Sequence, residues 1–211
     1  SRTVLWHVIN KFVDINIDFN IYLIANGRDI EFKPIVRSIT DELKIPHENI
    51  KYIKDTNSQL DTAIYAMDFL NENSDSPIVF TNIDTILAAR KEYFTKITNL
   101  LPNEGVIDTF EGVSHEYSYA KVDGDKVVKI VDKLPISDMA CSGLYGFGSK
   151  ELFFTEAMKL LKSNKQLSFT DYFNKYIEEG RVVFNNHNNN KNDTIVLGTP
   201  EEYITNLHKI K

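Results

Sequence analysis

Hydrophobic and polar positions along this chain repeat with two different periods. In the first hundred residues apolar positions at helical spacing alternate with short apolar runs. Residues 3–13 place Val4, Leu5, Val8, Ile9 and Phe12 on one helical face, so the chain opens on an amphipathic helix. Residues 19–25 predict a strand closed by Asn26-Gly27, and 32–43 a helix that tolerates Pro34 in its first turn. A short strand is expected over 50–53, a helix over 61–70 with Ala63, Ala66 and Met67 inward, and a strand over 77–81. After a helical stretch over 90–100 the period shortens to two from Gly105 onward. Strands over 117–122 and 126–133 flank Asp123-Gly124, a strong hairpin signal, and 140–147 predicts another strand, rich in small residues. Helices over 150–162 and 170–179 follow, the second ended by Gly180. A strand over 181–184 leads into residues 185–193, whose asparagines read as a mobile surface loop. The chain closes on a strand over 194–197 and a capping box, Thr199-Pro200-Glu201-Glu202, that opens the last helix. Strands alternating with helices imply a parallel sheet covered on both faces, and residues 1–211 read as a single domain.

Composition narrows the classes open to such a chain. Its 211 residues with 42% hydrophobic content suffice for one sizeable core. The 24 basic and 30 acidic residues give a net charge of −6 without a basic stripe, which argues against nucleic acid as the main partner. A lone Cys141 excludes an internal disulfide framework and a cysteine-built zinc site, and it reads as a small buried residue rather than a nucleophile. No apolar run is long enough to span a bilayer and the N-terminus lacks a signal-peptide layout, so the expected location is the cytoplasm.

Chemistry concentrates where the strand over 77–81 ends in Thr81, Asn82 and Asp84. Ligands of open α/β sheets sit beyond the carboxyl ends of the strands, so a carboxylate delivered there is placed to meet a ligand or a metal ion. Capping the next segment is the commoner use of such an acid. The five histidines show no metal-ligand spacing, and His115 stands just before the strand over 117–122.

Five segments resemble, in order, those of the sugar-phosphate nucleotidyltransferase family, most closely its members from capsule and lipopolysaccharide gene clusters. Residues 56–63 (Thr-Asn-Ser-Gln-Leu-Asp-Thr-Ala) look like the nucleotide-base loop and the helix after it. Thr81-Asn82-Ile83-Asp84 looks like the metal-binding Asn-x-Asp strand end. Residues 117–122 and 129–133 look like the acceptor-binding strands, Ala140-Cys141-Ser142-Gly143-Leu144-Tyr145 is similar to Ala-x-x-Gly-Ile-Tyr, and residues 197–202 to the Gly-Thr-Pro-Glu terminus.

The resemblance implies a Rossmann-like α/β fold of the nucleotide-diphospho-sugar transferase type, with a mixed, mainly parallel sheet, helices on both faces and a small β-hairpin subregion. It implies transfer of a nucleotide from a nucleoside triphosphate to a small phosphorylated acceptor, with release of pyrophosphate, in surface polysaccharide synthesis. Asp84 would be catalytic and hold Mg²⁺, and Lys133 would be catalytic by meeting the acceptor phosphate as a point charge. Asp132, Tyr119, Ser142 and Gly143 would bind the acceptor, and Ser58, Gln59, Thr62 and Asn82 the nucleotide. No nucleic acid or membrane partner is implied, and a homo-oligomer is left open.

Two departures qualify it. The family's first strand, and the glycine-rich loop with an arginine and a later lysine that grips the triphosphate, have no counterpart here, and Arg2 is no substitute. Either that segment is left out of this chain or the protein lacks it and is a non-catalytic nucleotide or nucleotide-sugar binding or partner domain. Val196 stands where many members carry a second metal-binding aspartate, and the nearest acid is Asp193. A glycosyltransferase of the related fold is a third reading, weakened because Asn82-Ile83-Asp84 offers only the second acid of an Asp-x-Asp pair.

Overall fold

The computed structural model describes residues 2–13, 15, 17–67, 70, 75–163 and 166–210. Helix α1 (Val4–Val13) buries Val8, Ile9 and Phe12, the face its spacing predicts. Strand β1 (Leu23–Asn26) lies parallel to β2 (Ile50–Ile53), with α2 (Lys33–Glu42) between them carrying proline in its first turn. β1 begins later than expected, because Phe19 and Ile21 use their side chains to pack on α1 and the following elements instead of joining a ladder. Helix α3 (Gln59–Ala66) starts two residues early, since Ser58 caps it by accepting from the Asp61 amide. Residues 68 and 69 of its expected last turn lie outside the described residues.

A six-stranded sheet forms the centre, in the order β3 (Ile78–Thr81), β8 (Met139–Phe147), β5 (Glu104–Glu111), β9 (Val182–Asn188), β7 (Lys126–Asp132) and β6 (Ser118–Asp123). The mixed α/β class is the expected one. Its parallel share is smaller than the alternation predicts: β1–β2 and β5–β9 are parallel, whereas β8 inserts antiparallel between β3 and β5. Hairpin-connected strands contribute only antiparallel pairs, so the period-two half of the chain shifts the balance. A strand the pattern did not predict, β4 (Thr85–Leu87), pairs antiparallel with β10 (Thr194–Val196). Among the described residues β1 pairs only with β2 and β3 only with β8, so each keeps one unpaired edge.

Alternation along β8 feeds two cores. Tyr145 and Phe147 point to a cluster with α5 (Lys150–Ser163) and α6 (Phe169–Glu178), and Leu144 points to the opposite cluster with α1 and α4 (Lys91–Ile97). Phe147 stacks on Phe173 with centroids 4.8 Å apart and meets Phe153 at 4.5 Å. Burial of a ring of this size contributes about 2–3 kcal/mol, and each aromatic pair about 1 kcal/mol more.

The run of asparagines corrects the expectation of a surface loop from residue 185. Asn185 and Asn186 are buried within β9, because the adjacent β5 offers them Thr109 and Asp108 as partners. Only residues 189–193 form the connection to β10, turned by the Asn188 and Asn190 side chains that accept from the Asn190 and Asn192 amides.

The start of α5 is capped from a distance by Asp75, which accepts from the Ser149 hydroxyl at 2.7 Å and the Glu151 amide at 3.1 Å. Desolvation raises this carboxyl, but the Ser149 and Glu151 bonds and nearby Lys150 outweigh it and hold it below its ordinary value. Its folded value being depressed, its stabilisation is present above about pH 4 and disappears as pH falls through the lowered value. Asp75→Ala is expected to lower stability at pH 7 by about 1 kcal/mol and to make little difference near pH 2, as measured by urea unfolding at both.

Candidate active site

Helix α7 (Pro200–Asn206), β4 and the carboxyl end of β3 meet at Asp84. The Leu197 amide donates to the Asp84 carbonyl at 2.8 Å, extending the β4–β10 pairing up to the acid. Asp84 Oδ1 accepts from the Thr85 hydroxyl at 3.2 Å, and Oδ2 lies 3.0 Å from the point a Cβ on Gly198 would occupy. Glycine there lets the carboxylate lie against the turn before α7. Glu202 Oε2 is 3.7 Å from the same point, so the second acid beside Asp84 is Glu202, not Asp193. Both Glu202 oxygens are engaged, one by the Thr199 amide and one by the Tyr117 hydroxyl at 2.7 Å. Burial and that carboxylate push the Tyr117 phenol well up.

Three of the residues expected at the site come together on one side. The Asn82 amide donates to the Gly143 carbonyl at 3.2 Å, and Gln59 Nε2 donates to Asn82 Oδ1 at 3.4 Å. Gly143 has φ +84°, and a Cβ there would fall 2.7 Å from Asn82 Nδ2. The first turn of α3, the end of β3 and the bend in β8 thus converge on one side-chain amide.

On the other side Asp132 accepts from the Ser118 hydroxyl at 2.7 Å, and Lys133 Nζ bonds Glu116 Oε2 at 2.9 Å. Lys133 stands just past β7 with φ +54°, a left-handed conformation unusual for a side-chain-bearing residue. Its ammonium is held above its ordinary value, chiefly by Glu116. The buried Tyr145 phenol is pushed up by desolvation and, less, by Cys141, Asp132 and Asp84.

Other expected residues are spent differently. Ser58 caps α3, and the Thr62 hydroxyl bonds Thr56 Oγ1 and the Ser58 carbonyl. Tyr119 has no exposed surface and corrects the expectation that it touches an acceptor: its hydroxyl accepts from the Ser114 amide at 2.7 Å and donates to the Ser114 carbonyl at 2.8 Å. Ser142 is buried beside Asp108, away from solvent. The Cys141 thiol is pushed up to about 12 by desolvation and the Asp108 and Asp132 charges, which disfavours the thiolate that a nucleophile needs. His115 is exposed in the turn before β6.

Sequence reasoning missed a buried ion pair. Arg90 Nε donates to Asp108 Oδ2 at 2.8 Å, with both side chains fully inaccessible. Its other nitrogens donate to the carbonyls of Ala88 and Asp193 and to the Thr194 hydroxyl, and Asn186 completes the shell of Asp108. Burial pushes the Asp108 carboxyl up against the opposing pull of Arg90. The pair ties the start of α4 to β5, the Thr194 bond adds β10, and only the partners it finds in space distinguish Arg90 from a solvated arginine.

The fold is a mixed α/β one of the nucleotide-diphospho-sugar transferase type. Solved structures similar to it are nucleotidyltransferases. A nucleoside-diphosphate-sugar pyrophosphorylase from Vibrio cholerae superposes with a TM-score of 0.78 at 23% identity, over 99% of this chain and 88% of that one. A putative glucose-1-phosphate thymidylyltransferase from Bacillus anthracis gives 0.78 at 18%, over 96% and 80%. The inositol-1-phosphate CTP transferase from T. maritima gives 0.71 at 10%, over 96% and 80%. At such identities the likeness is one of fold. No family model matches the chain, and no curated protein matches its sequence. Among the described residues no helix is long and apolar enough to cross a membrane, and no group of three or more histidine, cysteine or acidic side chains is arranged to hold a metal ion.

Proposed function

We propose that this protein is a nucleotidyltransferase that joins a nucleoside triphosphate to a small phosphorylated metabolite and releases pyrophosphate, in surface polysaccharide synthesis. The observation that carries the reading is the position of Asp84 at a strand's carboxyl end, with the Gln59–Asn82–Gly143 cluster on one side and Asp132 and Lys133 on the other. Asp84 is exposed and is a hard oxygen donor. One such carboxylate fits Mg²⁺ that arrives with a triphosphate, since Mg²⁺ keeps several waters and takes one or two carboxylates beside substrate phosphates. When bound, the ion would neutralise charge on the departing pyrophosphate. Gln59 and Asn82 would hold the nucleotide, Lys133 the acceptor phosphate, and Asp132 the acceptor's hydroxyl or amine groups.

The test is pyrophosphate release by the protein expressed from its complete reading frame, with each of four ribonucleoside triphosphates and dTTP, Mg²⁺ and a pool of phosphorylated metabolites. Release is expected with one nucleotide above the others. Asp84→Ala should lower kcat/KM on the order of 100-fold or more, because a metal ligand at a developing charge contributes several kcal/mol. Full Mg²⁺-dependent activity in Asp84→Ala would falsify the assignment. Nucleotide binding without release would make the protein a binding domain instead.

A further inference from the structure

We propose that Glu116 is the counter-ion an acceptor phosphate must displace from Lys133, and that it thereby sets how tightly the phosphate is held. This rests on the reading of Lys133 given above. An exposed lysine–glutamate pair is ordinarily weak, since two long side chains must be ordered to make it. Here the main chain does much of that ordering. The Lys133 amide donates to the Tyr117 carbonyl at 3.0 Å, one step beyond the Ser118–Asp132 pairing of the hairpin. That bond sets Tyr117 across from the lysine and Glu116 one position beyond it. The Glu116 amide in turn donates to Ser114 Oγ at 3.2 Å, and Ser114 is gripped through its own amide and carbonyl by the buried Tyr119 hydroxyl. At the other end of the turn the Tyr117 hydroxyl is fastened to Glu202 beside Asp84. The left-handed φ of Lys133, +54°, directs its side chain from a fixed origin. Carboxylate and ammonium therefore meet from anchored backbones, at 2.9 Å, with their side chains 55% and 60% exposed. The pair is open to solvent, so an incoming anion can reach the lysine and exchange with the glutamate.

A phosphate that takes the lysine releases Glu116 from an ion pair into water, so its apparent affinity is lowered by whatever the pair contributes. Glu116 returns to Lys133 when the phosphate departs, which favours release of product. Glu116 acts through Lys133 and is a tuning residue, not a catalytic one.

The experiment titrates inorganic phosphate into the full chain and follows the backbone amide resonances of residues 132–134 by NMR, in the unmodified protein, E116Q, D132N and K133Q. Asp132 supplies the control: it carries the same charge next to Lys133, but its carboxylate takes the Ser118 hydroxyl. E116Q is expected to bind phosphate about two- to fivefold more tightly, the range that measured exposed pairs span. D132N should gain less, and K133Q should lose the response. Equal gains in E116Q and D132N, or no gain in E116Q, overturn the proposal, because removal of any nearby negative charge would then account for the result. Unaltered phosphate binding in K133Q sinks the reading of Lys133 as well, an outcome separate from failure of Glu116 alone. Native spectra of each variant show that the fold is intact.

Discussion

Arg90→Met is expected to destabilise the protein by about 3–5 kcal/mol, seen as a lower urea midpoint with an unchanged slope. The substitution leaves Asp108 without its cation in a site where both side chains are fully inaccessible. It also strips the Ala88 carbonyl and the Thr194 hydroxyl of the guanidinium donor, while the Asp193 carbonyl keeps the Ala88 amide. Methionine fills the volume but supplies no hydrogen bond, so the loss is electrostatic rather than a cavity. The pH dependence follows. Without Arg90 the folded-state value of Asp108, already raised by burial, rises further above its unfolded value. A raised group binds its proton more readily when folded, so the deficit is fully present above the raised value and shrinks as pH falls toward about 4. A second change, Asp108→Asn on the Arg90→Met background, is expected to recover part of the loss by removing the uncompensated charge. A loss below 1 kcal/mol in Arg90→Met would mean that water reaches Asp108 readily.

Gly143→Ala is expected to cut activity on the order of 100-fold while lowering stability by about 1–3 kcal/mol. Two independent causes act. The backbone sits at φ +84°, where a Cβ costs about 1–2 kcal/mol, and that Cβ would lie 2.7 Å from Asn82 Nδ2 and 3.1 Å from Asn82 Cβ. Asn82 must move, and with it the contact to Gln59 and the strand end that leads to Asp84. A displacement of 1 Å at a reacting centre is enough for a loss of this size. Initial rates at saturating and limiting nucleotide, with urea unfolding on the same samples, separate the two effects. A variant with unchanged kcat/KM and lowered stability would show that Asn82 has no part in catalysis.

Some of this architecture was legible in the residues. The helical face of α1, the Asp123-Gly124 hairpin and the Thr199–Glu202 capping box are local patterns, and each forms as expected, since its partners lie within a few residues. The strand end at Asn82 and Asp84 was also visible, whereas the close fit of Gly143 against the Asn82 side chain was not. Tyr119 misled because alternation says only which face a residue takes, not whether that face meets solvent or other chain. The asparagines at 185 and 186 misled for a related reason: composition marks a loop, yet two buried polar neighbours on β5 make them strand residues.

Local patterning along the chain set the period of most segments, the capping box that begins α7 and the order in which strand ends deliver polar residues. These depend on interactions within a few positions along the chain. Only the tertiary structure decided which residues share a site, that Glu202 rather than Asp193 stands beside Asp84, that Glu116 meets Lys133, and that Arg90 is buried against Asp108. Those pairings join residues 17 to more than 100 positions apart, and a side chain's charge carries no record of the partner it will meet across that distance.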